Sequence, residues 1–152
     1  MPELDLPDPL ETSYVSTEYD RRNQVLIVRY FDELTAESTQ LMYSWCLEMI
    51  RRVGLGLIRG VIYDFSNVKR FTSSNLIATQ RGSLSINAQV DLSRIPIALV
   101  ARSLLQEQHL SISLNATPGE ERKRIVRSIH EALTFIEEFH RNQGRADPRV
   151  DK

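Results

Sequence analysis

Asp32, Glu33 and Asp64 are the side chains best suited by type to carry chemistry. Asp32 and Glu33 follow the β-rich run Val25-Leu26-Ile27-Val28-Arg29-Tyr30, and Asp64 lies in Val61-Ile62-Tyr63-Asp64-Phe65. Carboxylates at the ends of neighbouring strands can share a magnesium ion, which would make a magnesium-dependent hydrolase. The plainer reading is preferred: Asp32 and Glu33 precede a helix whose positive end favours acids, and Asp64 caps a turn. His130-Glu131 opens like a zinc-protease helix, but Thr134 stands where the second histidine is required. His109, His130 and His140 lack the spacing of a metal site, and a single cysteine, Cys46, cannot build a thiolate cage. No metal and no cofactor is expected. The glycines of Gly54-Leu55-Gly56-Leu57-Ile58-Arg59-Gly60 join a helix to a strand, the reverse of a dinucleotide cradle, and read as a helix stop and a turn.

The elements that position these residues follow from periodicity. Tyr14 to Glu18, the turn Asp20-Arg21-Arg22-Asn23 and Val25 to Tyr30 form a hairpin. Thr35 caps a helix with Glu37 in its first turn and Leu41, Met42, Trp45, Met49, Ile50 and Val53 at helical spacing, stopped by Gly54. Val61 to Phe65 is a buried-type strand. After a polar loop, Thr72-Ser73-Ser74-Asn75, all favoured caps, opens a second helix through Leu76, Ile77, Gln80 and Leu84, ending near Ala88 or Gln89. Ile97-Ala98-Leu99-Val100 is unbroken and apolar, as in a strand covered on both faces. A helix over Leu104 to Leu114, a short strand at Ile125-Val126, and a helix capped by Ser128 and Glu131 with Ile129, Ala132, Leu133, Ile136 and Phe139 on one face complete the series. The charged run Glu120 to Arg124 reads as a solvated loop.

The chain has 152 residues, 41% hydrophobic and 26% charged, enough for one compact domain. Its 19 basic and 20 acidic side chains cancel, so no global field attracts nucleic acid. The acidic, proline-rich start is unlike a secretion signal, no segment is long and apolar enough for membrane insertion, and the lone cysteine suits a reducing compartment, so a cytoplasmic location is expected. The domain is assigned to residues 14–142, with an extended tail over 1–13 and a flexible one over 143–152.

The run from Val61 to Leu76 resembles the STAS fold of anti-sigma-factor antagonists. There, a strand ending in aspartate leads to an apolar-Asp-Ser-Ser-Gly-Leu motif at the next helix. Phe71-Thr72-Ser73-Ser74-Asn75-Leu76 occupies that place, with Thr72 for the aspartate and Asn75 for the glycine. The glycine change adds a side chain where a partner's backbone would approach. Arg94 to Ala101 and Ile125 to Phe139 are similar to the SpoIIAA-like branch, which is related in fold to CRAL-TRIO lipid carriers.

The resemblance, covering residues 14–140, implies an α/β fold with a central mixed β-sheet of about five strands flanked by about four helices. It implies a noncatalytic protein-interaction module that regulates a partner kinase or anti-sigma factor. Asp64, Ser66, Asn67, Thr72, Ser73, Ser74 and Asn75 would face the partner. Ser73 matches the serine whose phosphorylation weakens that contact, since phosphate adds nearly two negative charges. A homodimer could form through an exposed helix face or sheet edge. The alternative is a small-ligand or lipid carrier, for which Leu104, Leu105, Leu110, Ile112 and Leu114 are available, although ordinary helix packing accounts for them too.

Overall fold

A computed structural model describes residues 6–115, 117 and 120–146. Asp20 accepts hydrogen bonds from the backbone N–H groups of Arg22 and Asn23 and from the Asn23 amide, folding the chain back between β1 (Val15–Asp20) and β2 (Val25–Leu34). The two strands pair antiparallel. Thr35 Oγ1 then accepts the Ser38 N–H while the Ser38 hydroxyl accepts the Thr35 N–H, a reciprocal cap that starts α1 (Ala36–Val53). Gly54 ends that helix at φ 89°, a region few side chains enter.

The remaining elements are β3 (Gly60–Phe71), α2 (Ser73–Gln89), β4 (Ile97–Val100), α3 (Leu104–Asn115), β5 (Lys123–Val126) and α4 (Ile129–Ala146). At α4 the Ser128 hydroxyl accepts the Glu131 N–H, and the Glu131 carboxylate reaches back to the N–H of Arg127. The sheet order is β1-β2-β3-β4-β5, with only β1 and β2 antiparallel. Five mixed strands and four helices match the expected architecture.

Parallel neighbours in chain order need crossovers of one hand, which puts α1, α2 and α3 on the same face. α4 follows the last strand and covers the other. Strand residues alternate accordingly. Leu26, Val28, Tyr30, Phe65 and Leu99 pack with Met42, Trp45 and Met49 of α1, Ile86 of α2 and Leu110 of α3. Val25, Ile27, Ile62, Ala98 and Val100 pack with Ala132, Phe135, Ile136 and Phe139 of α4. Each fully buried valine, leucine, isoleucine, methionine or phenylalanine among them stabilises the fold by about 1.5–3 kcal/mol.

Several sequence expectations are corrected. Ile77 and Leu84 of α2 point outward, 52% and 65% exposed, while Ala78, Ser83 and Ile86 face in. In α3, Leu104, Leu105 and Ile112 are more than half exposed, so ordinary packing does not account for them; Leu110 alone of the five leucine and isoleucine positions is fully buried. The charged run is not a solvated loop throughout, because Arg122 is 3% exposed and β5 begins at Lys123.

Residues 6–11 are extended but fastened to the domain. The Trp45 indole N–H donates to the carbonyl of Asp8, Leu10 exchanges hydrogen bonds with Thr17, and Leu6 and Leu10 touch the core. α4 continues through Ala146, into the segment assigned to the second tail. The outermost tail residues, 1–5 and 147–152, lie outside the described residues.

Candidate functional site

β3 outruns β4. Their pairing stops at Asp64 and Val100, but β3 continues to Phe71 alongside β2, so the polar loop expected after Phe65 is mostly strand. Register shifts between Arg29 and Phe31 and between Asp32 and Glu33 give β3 two extra residues, and each bulge bends the strand locally. Asp32 takes φ 57° at the second shift.

The edge of β3 beyond β4 is closed by one side chain. Gln106, 8% exposed at the start of α3, donates from Nε2 to the carbonyls of Ser66 and Val68 at 3.2 and 2.9 Å. Its Oε1 accepts the N–H groups of Arg102 and Ser103 at 2.6 and 3.3 Å. An amide has both capacities, so it substitutes here for a missing strand. The Phe71 ring stacks on His109 with centroids 4.6 Å apart, a second tie between the ribbon and α3.

At the bend, Asp64 Oδ1 accepts the Ser66 N–H and hydroxyl at 2.9 and 2.6 Å, the turn-capping role expected of it. Asp64 is 8% exposed, Ser66 is half-buried, and Asn67 projects into solvent. Thr72 directs its hydroxyl to the Leu34 carbonyl at 2.8 Å, tying the start of α2 to the end of β2 without capping α2. Ser73 is the first residue of α2, and Ser74 is exposed.

Asn75 turns inward. It is 5% exposed, and its Oδ1 accepts the hydroxyl hydrogen of Thr39 in α1. The expected surface residues are therefore divided: Asn67 and Ser74 are open, Ser66 and Thr72 half-open, and Asp64 and Asn75 work inside. Asp32, Glu33 and Asp64 are not gathered. Asp32 lies opposite Val68, roughly 13 Å along β3 from Asp64 at ~3.3 Å per residue, and its carboxylate lies 3.7 Å from Lys69. No cluster of three metal-ligating side chains occurs among the described residues.

α1 and α2 approach closely because Gly82 lies against the Tyr43 ring, where a β-carbon would come within 2.3 Å of a ring atom. Outside this contact, a groove of about 510 Å³ between the helices is bordered by Gln40, Ser44, Leu47, Ser74, Ile77 and Arg81. The outward apolar positions of α2 were missed because Ile77 and Leu84 fit a helical repeat whichever way it faces.

No protein-family model matches the chain, and no curated protein matches its sequence. Solved structures do match in shape. SpoIIAA, an anti-sigma factor antagonist solved in its unphosphorylated form, superposes with a TM-score of 0.52 at 15% identity, over 86% of this chain and 98% of that one. The fold is the SpoIIAA-like, or STAS, fold. An anti-sigma factor antagonist from Mycobacterium paratuberculosis matches at 0.51 and 17% identity, over 84% and 99% of the two chains. An uncharacterized protein of the DUF3478 family with a SpoIIAA-like fold, from Shewanella loihica, matches at 0.53 and 16%, over 80% and 91%. Within the SpoIIAA-like fold of this chain, residues 71–76 form the β3–α2 junction. The Asn75 side chain, expected at a partner-facing position, turns inward to Thr39. No helix among the described residues is long and apolar enough to cross a membrane.

Proposed function

We propose that this chain is a noncatalytic protein-interaction module of the anti-sigma-factor-antagonist kind, acting in the cytoplasm and controlled by phosphorylation of Ser73. One observation carries the reading. Positions 73, 77 and 84 fall on one line of α2 by their spacing, and Ile77 and Leu84 on that line are exposed. Ser73 stands at the start of α2 on that spacing, next to the exposed Ser74. Apolar residues exposed together on one helix mark a contact surface.

The start of α2 has no acidic residue in its first turn and no side-chain cap, so its N–H groups favour an anion there. A phosphate would be tolerated by the helix itself. An apolar or acidic partner seated on Ile77 and Leu84 would be repelled by it. The partner would be an anti-sigma factor, as the names of similar structures suggest, or a regulatory kinase, as the resemblance of residues 71–76 implies.

The test is quantitative affinity capture from native cell extract with wild type, Ser73→Ala and Ser73→Asp, matched for folding by circular dichroism. A partner kept by Ser73→Ala and lost by Ser73→Asp is the expected result. Identical partner sets for all three overturn the switch and reduce Ser73 to the opening residue of a helix.

A further inference from the structure

Under α1, α2 and α3 the apolar face of the sheet leaves a cavity of about 100 Å³. Its walls are mostly apolar, with Leu26, Leu99 and Leu110 among them, and Tyr43, Tyr63 and Arg122 also line it. Arg122 is 3% exposed, and Nη1 makes its one hydrogen bond, to the Ile95 carbonyl at 3.1 Å. Among the described residues it has no ion pair. Glu121, the carboxylate that acts on it through space, is exposed.

A guanidinium keeps its charge at any ordinary pH and presents five N–H donors in a rigid fork. Burying it without an anion carries a large desolvation cost. Tyr43 and Tyr63 do not supply the anion, because burial raises both phenols far above neutrality and keeps them protonated. No buried side-chain nitrogen or oxygen among the described residues is left without a partner, so the remaining donors of the fork lie where solvent or a ligand reaches them, open to an acceptor carrying negative charge. Apolar walls suit an apolar body, and a fork matches a planar two-oxygen anion.

We propose that this cavity binds a small carboxylate with an apolar body, its two oxygens on the free donors of Arg122 and its body among the leucines and tyrosines. An engineered apolar cavity of ~150 Å³ holds benzene, so this smaller space suits a ligand below the size of an aromatic ring, such as a short-chain acid. The site is distinct from the outward line of α2 and stands whether or not Ser73 is a switch.

Titration of the full chain with propionate and butyrate, against propionamide and butyramide, followed by calorimetry and by amide chemical shifts, tests the proposal. The carboxylates should bind saturably, about tenfold or more tighter than the amides, which corresponds to ~1.4 kcal/mol, and shift the amides of Tyr63, Ile95 and Arg122. Arg122→Met should remove that preference. Equal binding of acid and amide, no binding of either at millimolar concentration, or shifts confined to surface basic residues overturns it. The wild-type comparison of acid with amide decides the matter even where Arg122→Met does not fold.

Discussion

The Thr39 hydroxyl of α1 donates to the Asn75 side-chain oxygen of α2 inside the helix interface, with Thr39 2% and Asn75 5% exposed. Asn75→Ala strands that hydroxyl and should lower stability by about 1–3 kcal/mol. The double variant with Thr39→Val should lose less than the sum of the two single losses, as urea unfolding of all four proteins will show. Additive losses would mean that the two side chains are not coupled.

Gln106→Ala removes the amide that closes β3. Its expected cost is about 2–3 kcal/mol, because the Val68 carbonyl bond is buried and two more backbone donors lose their acceptor. Hydrogen exchange should quicken at Arg102 and Ser103, the amides that donate to Gln106, while the β1–β2 hairpin keeps its protection.

Gly82→Ala raises helix propensity yet should destabilise by about 1–3 kcal/mol, since the new methyl meets the Tyr43 ring. Thermal melts of Gly82→Ala, alone and combined with Tyr43→Leu, separate the two effects: the smaller leucine should recover part of the loss.

Two buried acids, Cys46 and Tyr30, and two half-buried ones, Tyr43 and Tyr63, set the alkaline limit. Burial pushes the Cys46 thiol up to about 12, and it raises the Tyr30, Tyr43 and Tyr63 phenols above their ordinary range. Each raised group is protonated in both states below its unfolded pKa, so its contribution is fully present there. It is lost as pH rises from the unfolded pKa toward the folded one, because the unfolded chain binds fewer protons. Urea midpoints should hold steady up to about pH 8 and fall steeply above about pH 9 to 10, where free thiols and phenols begin to ionise. A thiol reagent at pH 8 should label Cys46 only after unfolding.

Legibility tracked how local the signal was. Thr35, Gly54, Ser128 and Glu131 act within a few residues of themselves, and each cap lies where its type predicted. Ile97 to Val100 announced a strand covered on both faces because every position is apolar. Facing was harder to read. Arg122 lies in a run of five charged residues, and nothing in that run says which of them turns inward; the decision belongs to the packing of β5 beside β4. Likewise Ser66 to Phe71 is polar and loop-like in composition, and becomes strand because β2 supplies partners along its length. Within the candidate site, the division of roles between Asn75 and Ser74 depends on α1, an element more than twenty residues away in sequence and visible only once the fold is formed.

Spatial order in the sheet repeats chain order from β1 to β5. A ribosome releasing this chain would therefore add each strand to an edge already in place, with no gap held open for a later segment. The exposed side of the nascent sheet would advance one strand at a time, and α4, emerging after β5, would seal a face that until then had no cover.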